Sequence, residues 1–234
     1  MMILKQKQTG FTLVEIAIVL VIIGLLLGGI LKGQELINSA RVRALADQNS
    51  GIQAAYFGFI DRYRKVPGDM LAADACDALG ADNFSDPAYC TTVVGNNNGR
   101  IDTDEEALST WAQLSAGNFI TGVYPGLGTY DNTTAPVNPF QGAVKLIYST
   151  DYNSGDGTAA TSARLSYFFG TQIPVNVARE IDVKLDNGIP GSGIVRSSTN
   201  TTVGDPEFSS AGCIDEGIWN INENDPDCNA VYIY

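Results

Sequence analysis

From Phe11 to Leu31 the chain reads FTLVEIAIVLVIIGLLLGGIL, about 21 residues carrying a single charge, Glu15. A helix of that length spans roughly 30 Å at 1.5 Å per residue, the thickness of a bilayer hydrocarbon core. It is apolar on every side, so it calls for lipid or for the interior of a bundle. Lys5 and Lys7 precede it, and the positive-inside rule then keeps the N-terminus cytoplasmic and turns everything beyond residue 35 outward. A cleaved secretory signal has an apolar region of about 7–15 residues and a small-residue cut site. This run is longer, and Lys32-Gly33-Gln34-Glu35 follows it. An uncleaved signal anchor is the other plain alternative. Neither accounts for Glu15, a carboxylate that costs a few kcal/mol in lipid when unpaired. It needs a partner, and the helix by itself is expected to offer none.

Charge and composition narrow the chemistry. The 234 residues contain no histidine, which removes Ser-His-Asp, Cys-His and zinc-histidine sites. Residues 66–234 hold 6 basic against 22 acidic side chains, a net −16, within a whole-chain charge of −12. A polyanion of that strength repels phosphate backbones, so no nucleic acid is expected as a partner. No acidic pair, nucleophile elbow or phosphate loop stands out, and the reading is not an enzyme.

Lys7-Gln8-Thr9-Gly10 followed by Phe11-Thr12-Leu13-Val14-Glu15 resembles the prepilin signature of type IV pilins and of the pseudopilins of type II secretion. The resemblance implies cleavage between Gly10 and Phe11 by a membrane prepilin peptidase and N-methylation of Phe11. It places Glu15 at the fifth mature position, one helical turn from the new amine. That carboxylate would pair with the Phe11 ammonium of its own helix or of a neighbouring subunit. In hydrocarbon the second pairing sets register, because misregistered subunits leave buried charge unmatched. Gly24 and Gly28 form a small-xxx-small pair that allows close helix approach. With Gly29 and Gly33 they weaken the helix by about 1 kcal/mol each relative to alanine. Pilins often carry a proline near here; Lys32 and Gly33 stand in its place, which leaves open whether the helix persists.

Helical periodicity continues through Leu45, Ile52, Ala55, Phe59 and Tyr63, and Val66-Pro67-Gly68 should end it near Lys65. Phe11–Lys65 is thus expected to be one rod of roughly 80 Å, its outer half amphipathic. Beyond Pro67, Asp69 is expected to cap a helix over Met70–Leu79. Thr103-Asp104-Glu105-Glu106 reads as a capping box opening a helix that ends at Gly117. Ala143–Tyr148, Leu165–Phe169 and Val231–Tyr234 read as strands, and Pro174 starts a further helix that ends before Asn187-Gly188. The fold class is α+β: a long N-terminal helix carrying a head with a small antiparallel sheet, short helices and a C-terminal disulfide loop. The organisation expected is 1–10 leader, 11–35 transmembrane and assembly helix, 36–65 amphipathic stem, and 66–234 acidic head.

Cys76, Cys90, Cys213 and Cys228 all fall in the outward part, where an oxidising compartment favours disulfides. Three connectivities are open. Local pairing, Cys76–Cys90 and Cys213–Cys228, is favoured, since each closes a loop of roughly 15 residues worth about 3 kcal/mol by chain entropy. The second pair also resembles the C-terminal disulfide loop of type IV pilins. Around Gly99, the residues Asn96, Asn98, Asp102 and Glu105 fall at positions three, five, nine and twelve of a calcium loop. The first position is Val94, which cannot coordinate, so a plain turn with a capping box is preferred over bound calcium; no other cofactor is expected.

These readings describe a filament subunit that waits in the bacterial inner membrane and is then assembled by a pilus or secretion platform into a helical homo-oligomer on the cell surface. Adhesion, twitching and surface sensing are the roles that the resemblance implies. A pseudopilin or minor pilin is the near alternative, and a membrane-anchored adhesin or receptor that never polymerises is the distant one.

Overall fold

The computed structural model describes residues 12–234. Helix α1 runs from Leu13 to Tyr63, 51 residues. Its start is fixed by a capping box: Thr12 Oγ1 accepts the Glu15 N–H at 3.3 Å, and Glu15 Oε2 accepts the Thr12 N–H at 2.8 Å. The helix passes through Gly24, Gly28, Gly29 and Gly33 without interruption, because the Leu, Ile and Ala residues around them are good helix formers. It ends where Arg64 takes a left-handed φ of 57°, three residues before Pro67. The chain divides into two compact units at Arg41/Val42, within α1.

In the second unit α1 buries Val42, Leu45, Asn49, Ile52, Ala55, Tyr56 and Phe59. Spacings of three and four put these residues on one stripe. The expected stripe is present, and it is wider than the aliphatic pattern suggested. Asn49 belongs to it because its Oδ1 accepts the Tyr234 hydroxyl at 2.7 Å. Helix α2 (Ala72–Leu79) begins two residues later than expected, and Asp69 does not cap it. The Asp69 carboxylate instead accepts the N–H groups of Asn98 and Gly99 at 2.9 and 2.8 Å. Helix α3 (Asp104–Ala116) starts at Thr103, whose hydroxyl accepts the Glu106 N–H, and stops at Gly117. It brings Trp111, Leu108 and Leu114 into the core. Helix α4 (Val175–Leu185) follows Pro174.

The main sheet is antiparallel with order β1-β2-β6-β3. Its strands are β1 (Lys145–Ser149), β2 (Arg164–Phe168), β3 (Val195–Ser197) and β6 (Ala230–Ile233). Leu146 faces Tyr167 across β1 and β2, and Tyr167 faces Tyr232 across β2 and β6. The C-terminal strand therefore lies inside the sheet, and closing it requires the last residues of the chain. A two-stranded hairpin, β4 (Ile214–Asp215) and β5 (Ile218–Trp219), stands apart. It is fixed by the Trp219 indole N–H, which donates to the buried Asp182 at 2.8 Å. The architecture is α+β.

Candidate functional site

The N-terminal part of α1 is an apolar surface with nothing from its own unit covering it. Its most apolar 18-residue window has a mean hydropathy of 2.8, and none of that window is buried. Leu13 is 91% exposed, and even Ile23, among the least exposed of the run, is 46% exposed. Among the described residues this is the one helix long and apolar enough to cross a membrane. Each exposed isoleucine or leucine withheld from water is worth about 1.5–3 kcal/mol, so a solvent-exposed state is heavily disfavoured.

Glu15 sits at the start of this surface. Contrary to the sequence expectation, the helix does offer it partners: Oε2 accepts both the backbone N–H and the hydroxyl of Thr12, each at 2.8 Å. The signal was present in the sequence as Thr-x-x-Glu at a helix start. Those donors are neutral, and among the described residues no cation pairs with Glu15. Among the described residues the carboxylate is therefore oriented by neutral hydrogen-bond donors alone. The expected cleavage point, Gly10 and Phe11, lies outside the described residues.

The head carries two disulfides, Cys76–Cys90 and Cys213–Cys228, with Cα separations of 5.7 and 5.5 Å. The first ties α2 to the 3₁₀ turn Tyr89–Thr91; the second anchors the β4–β5 hairpin to the segment leading into β6. Cys213 and Cys228 are fully buried, so the second link serves the core and is not a surface clasp.

The asparagine-rich loop is organised by hydrogen bonds. Asn98 Nδ2 donates to Asp102 at 2.8 Å, and Asn96 Nδ2 donates to Glu106 at 2.6 Å. Glu106 also accepts the Asp102 N–H, so Glu106 is the carboxylate that meets the loop, while Glu105 is exposed on the first turn of α3. Amide donors thus reach one Asp102 oxygen and both Glu106 oxygens, which ties the loop to the start of α3. Burial pushes the Glu106 carboxyl up to about 7, with Asp102 and Asp69 adding to the rise.

One constellation escaped the sequence reading. Lys145, 1% exposed on β1, points its ammonium at Asp104 and Glu207, each at 2.7 Å, and at Asp205 at 3.5 Å. The Tyr130 ring lies 5.4 Å away. Burial alone would lower the lysine pKa; the three carboxylates outweigh it and hold the amine charged. The available signal was a lone lysine inside the apolar stretch Ala143-Val144-Lys145-Leu146-Ile147. Its partners lie 41, 60 and 62 positions away, so spacing could not reveal them. The cluster joins α3, β1 and the 205–207 loop; Ser149 steadies Glu207 at 3.0 Å.

No curated protein and no solved structure matches the chain. Residues 5–31 match the family model described as the prokaryotic N-terminal methylation motif, and the chain thus carries a type IV pilin-like prepilin signature that overlaps the exposed apolar part of α1.

Proposed function

We propose that the protein is a structural subunit of a type IV pilus-like filament on the bacterial surface, and that its expected organisation is leader, assembly helix, stem and acidic head. The observation that carries this reading is the coincidence, within residues 5–31, of the methylation motif with an apolar helical surface left entirely uncovered. A signal anchor would need only the apolar length. A motif that specifies trimming and methylation of the N-terminus at the edge of that length concerns what the helix does next.

Before processing, Lys5 and Lys7 hold the N-terminus on the cytoplasmic side and the head stands outside. Cleavage after Gly10 by the prepilin peptidase removes the leader and creates a positive end at Phe11. Glu15, preset by Thr12, presents its negative charge one turn away. Pairing it with the amine of an adjacent copy neutralises two charges that are costly in hydrocarbon, and only one axial register does so. Extraction from lipid then exposes the Leu13–Leu31 surface, which is buried again only by the same surface of other copies. The outer end of α1 packs into the head, so adding a helix adds a head.

A pseudopilin of type II secretion or a minor, initiating pilin uses the same helix and is the second reading; the methylation motif serves both. A head with two disulfides favours a subunit that must survive outside the cell. Intact-mass and N-terminal peptide analysis of the protein purified from its host, together with its abundance in sheared surface fibres, tests the proposal. A mature N-terminus of methyl-Phe11 in abundant fibres is expected. An intact Met1, or a cut beyond Leu31, would overturn it.

A further inference from the structure

The head holds a recess for which the filament reading has no use. It measures about 260 Å³ and lies where the segments 130–132, 141–143, 171–172 and 203–208 meet. Gln141 and Gln172 line it from two neighbouring turns, and both have a left-handed backbone, with φ of 72° and 65°. Outside glycine, asparagine, aspartate and histidine that conformation is uncommon, and it persists only where the surroundings impose it. Asn138 supplies the constraint. Its side chain, 1% exposed, accepts the Phe140 and Gly142 N–H groups at 2.7 and 3.0 Å and donates to the Phe169 and Thr171 carbonyls at 2.9 and 3.0 Å. It thus clamps both turns, and Asp227 completes the second by accepting the Gln172 N–H at 2.6 Å. Glycine would take either φ at no steric cost, so what glutamine adds at these positions is its carboxamide. Both carboxamides are exposed, as is that of Asn132 on the same recess, and none of the three takes part in a hydrogen bond among the described residues.

The rest of the lining fixes the class of ligand. Asp131, Asp205 and Asp227 line the recess, and no basic residue does so among the described residues, so an anion is repelled. Asp131 Oδ1 accepts from Thr133 and Asp227 Oδ1 from Gln172, which leaves Oδ2 of each carboxylate without a donor among the described residues. Phe208, half-buried, and Val203, 84% exposed, supply apolar surface. A carboxamide donates and accepts, as a sugar hydroxyl does, and a carboxylate oxygen accepts a hydroxyl proton in a strong, charge-assisted bond. The C–H faces of a sugar ring are apolar and suit the phenyl ring and the valine. The volume falls just below the range of about 300–1,000 Å³ that holds drug-sized ligands, which suits one ring. We propose that this recess binds a single neutral sugar ring, whose hydroxyls are read by Asn132, Gln141 and Gln172. The inference is independent of whether the chain polymerises.

The test uses the full-length chain in a detergent without a sugar head group. Saturation-transfer difference NMR is recorded with the methyl glycosides of glucose, galactose, mannose and N-acetylglucosamine, which stand for glycan ends, and with the corresponding reducing sugars. Glucuronate is the anionic probe, and calcium chloride, followed by calorimetry, is the cationic one. At least one neutral sugar should bind, and the two sets tell a glycan end from a free sugar. Glucuronate should bind at least about tenfold more weakly. The double variant Gln141→Gly/Gln172→Gly relieves the left-handed backbone, so it should melt no lower than the wild type while binding falls at least about tenfold, the loss of two hydrogen-bonding side chains. Asn132→Ala, at an exposed position that folding does not depend on, should weaken binding about threefold or more. Binding by none of the neutral sugars would overturn the proposal. So would unaltered affinity in both variants, or a preference for glucuronate or for calcium.

Discussion

Helix α1 is one secondary-structure element with two kinds of surface. From Leu13 to Leu31 nearly every side chain is apolar and exposed; from Val42 to Phe59 apolar side chains recur every three or four residues and are buried. A uniform apolar surface has no preferred side and needs partners all around it, which a single chain cannot supply. A striped surface needs one partner, and the head supplies it. The same helical propensity supports both surfaces, and the distribution of apolar residues decides which of them the chain buries by itself.

The contrast is sharpest at Phe59, fully buried, and Ile23, 46% exposed. Phe59→Ala should destabilise the head by about 3–5 kcal/mol through lost burial and a residual cavity. Ile23→Ala should leave the melting temperature of the head unchanged. Differential scanning calorimetry of the two variants in detergent measures both, and equal losses would erase the distinction between the halves.

A second effect of comparable origin belongs to the head alone. Lys145→Met keeps the volume and removes the cation that pairs with Asp104, Asp205 and Glu207. Leaving buried carboxylates unpaired costs about 3 kcal/mol, at the low end of the range because Asp104 is 56% exposed. Urea unfolding followed by tryptophan fluorescence should show the midpoint falling with little change in slope. An unchanged midpoint would mean that the cluster is solvated and structurally idle.

The smallest effect is a pH dependence. Glu106 has its folded pKa raised to about 7 by burial. A carboxyl with a raised folded pKa binds more protons in the native state than in the unfolded one between its unfolded value and about 7. Its contribution to stability is therefore complete below the unfolded pKa and is lost as pH rises toward 7. Between pH 5 and pH 7 the melting temperature of the wild type should fall by about 2–4 °C more than that of Glu106→Gln, the shift that about 1 kcal/mol gives in a domain of this size. Parallel curves for the two proteins would refute the assignment.

Local signals carried much of this molecule. Thr103 before Glu106, Pro174 before Val175 and Arg64-Lys65-Val66-Pro67 after Tyr63 each act within a few residues, and the helices they delimit stand close to where they were expected. Strands β1, β2 and β6 were legible from β-branched and aromatic runs, though the start of β1 moved by two residues and the other ends by one. The β4–β5 hairpin is two residues per strand, too short for any periodicity to register. Asp69 was misassigned because its real partners, the Asn98 and Gly99 amides, lie 29 and 30 residues away while an empty helix start lay beside it. The calcium-like spacing pointed to Glu105, whereas helical geometry turned Glu106 toward the loop. Glu15 was recognised for its charge, and its Thr12 hydrogen bonds were overlooked. Chemistry that closes over long sequence distances, Lys145 above all, was invisible.

The central claim is that the charge of Glu15, and not its hydrogen bonding, joins one copy to the next. Glu15→Gln isolates it, since glutamine at this position can still accept the Thr12 N–H of the capping box. The decisive measurement is the amount of this chain in fibres sheared from cells, set against its amount left in the membrane. The account predicts that Glu15→Gln accumulates in the membrane, correctly trimmed, while fibres fall at least about tenfold, the equivalent of about 1.4 kcal/mol per joined copy. Fibres of ordinary yield and subunit spacing from the glutamine variant would contradict it.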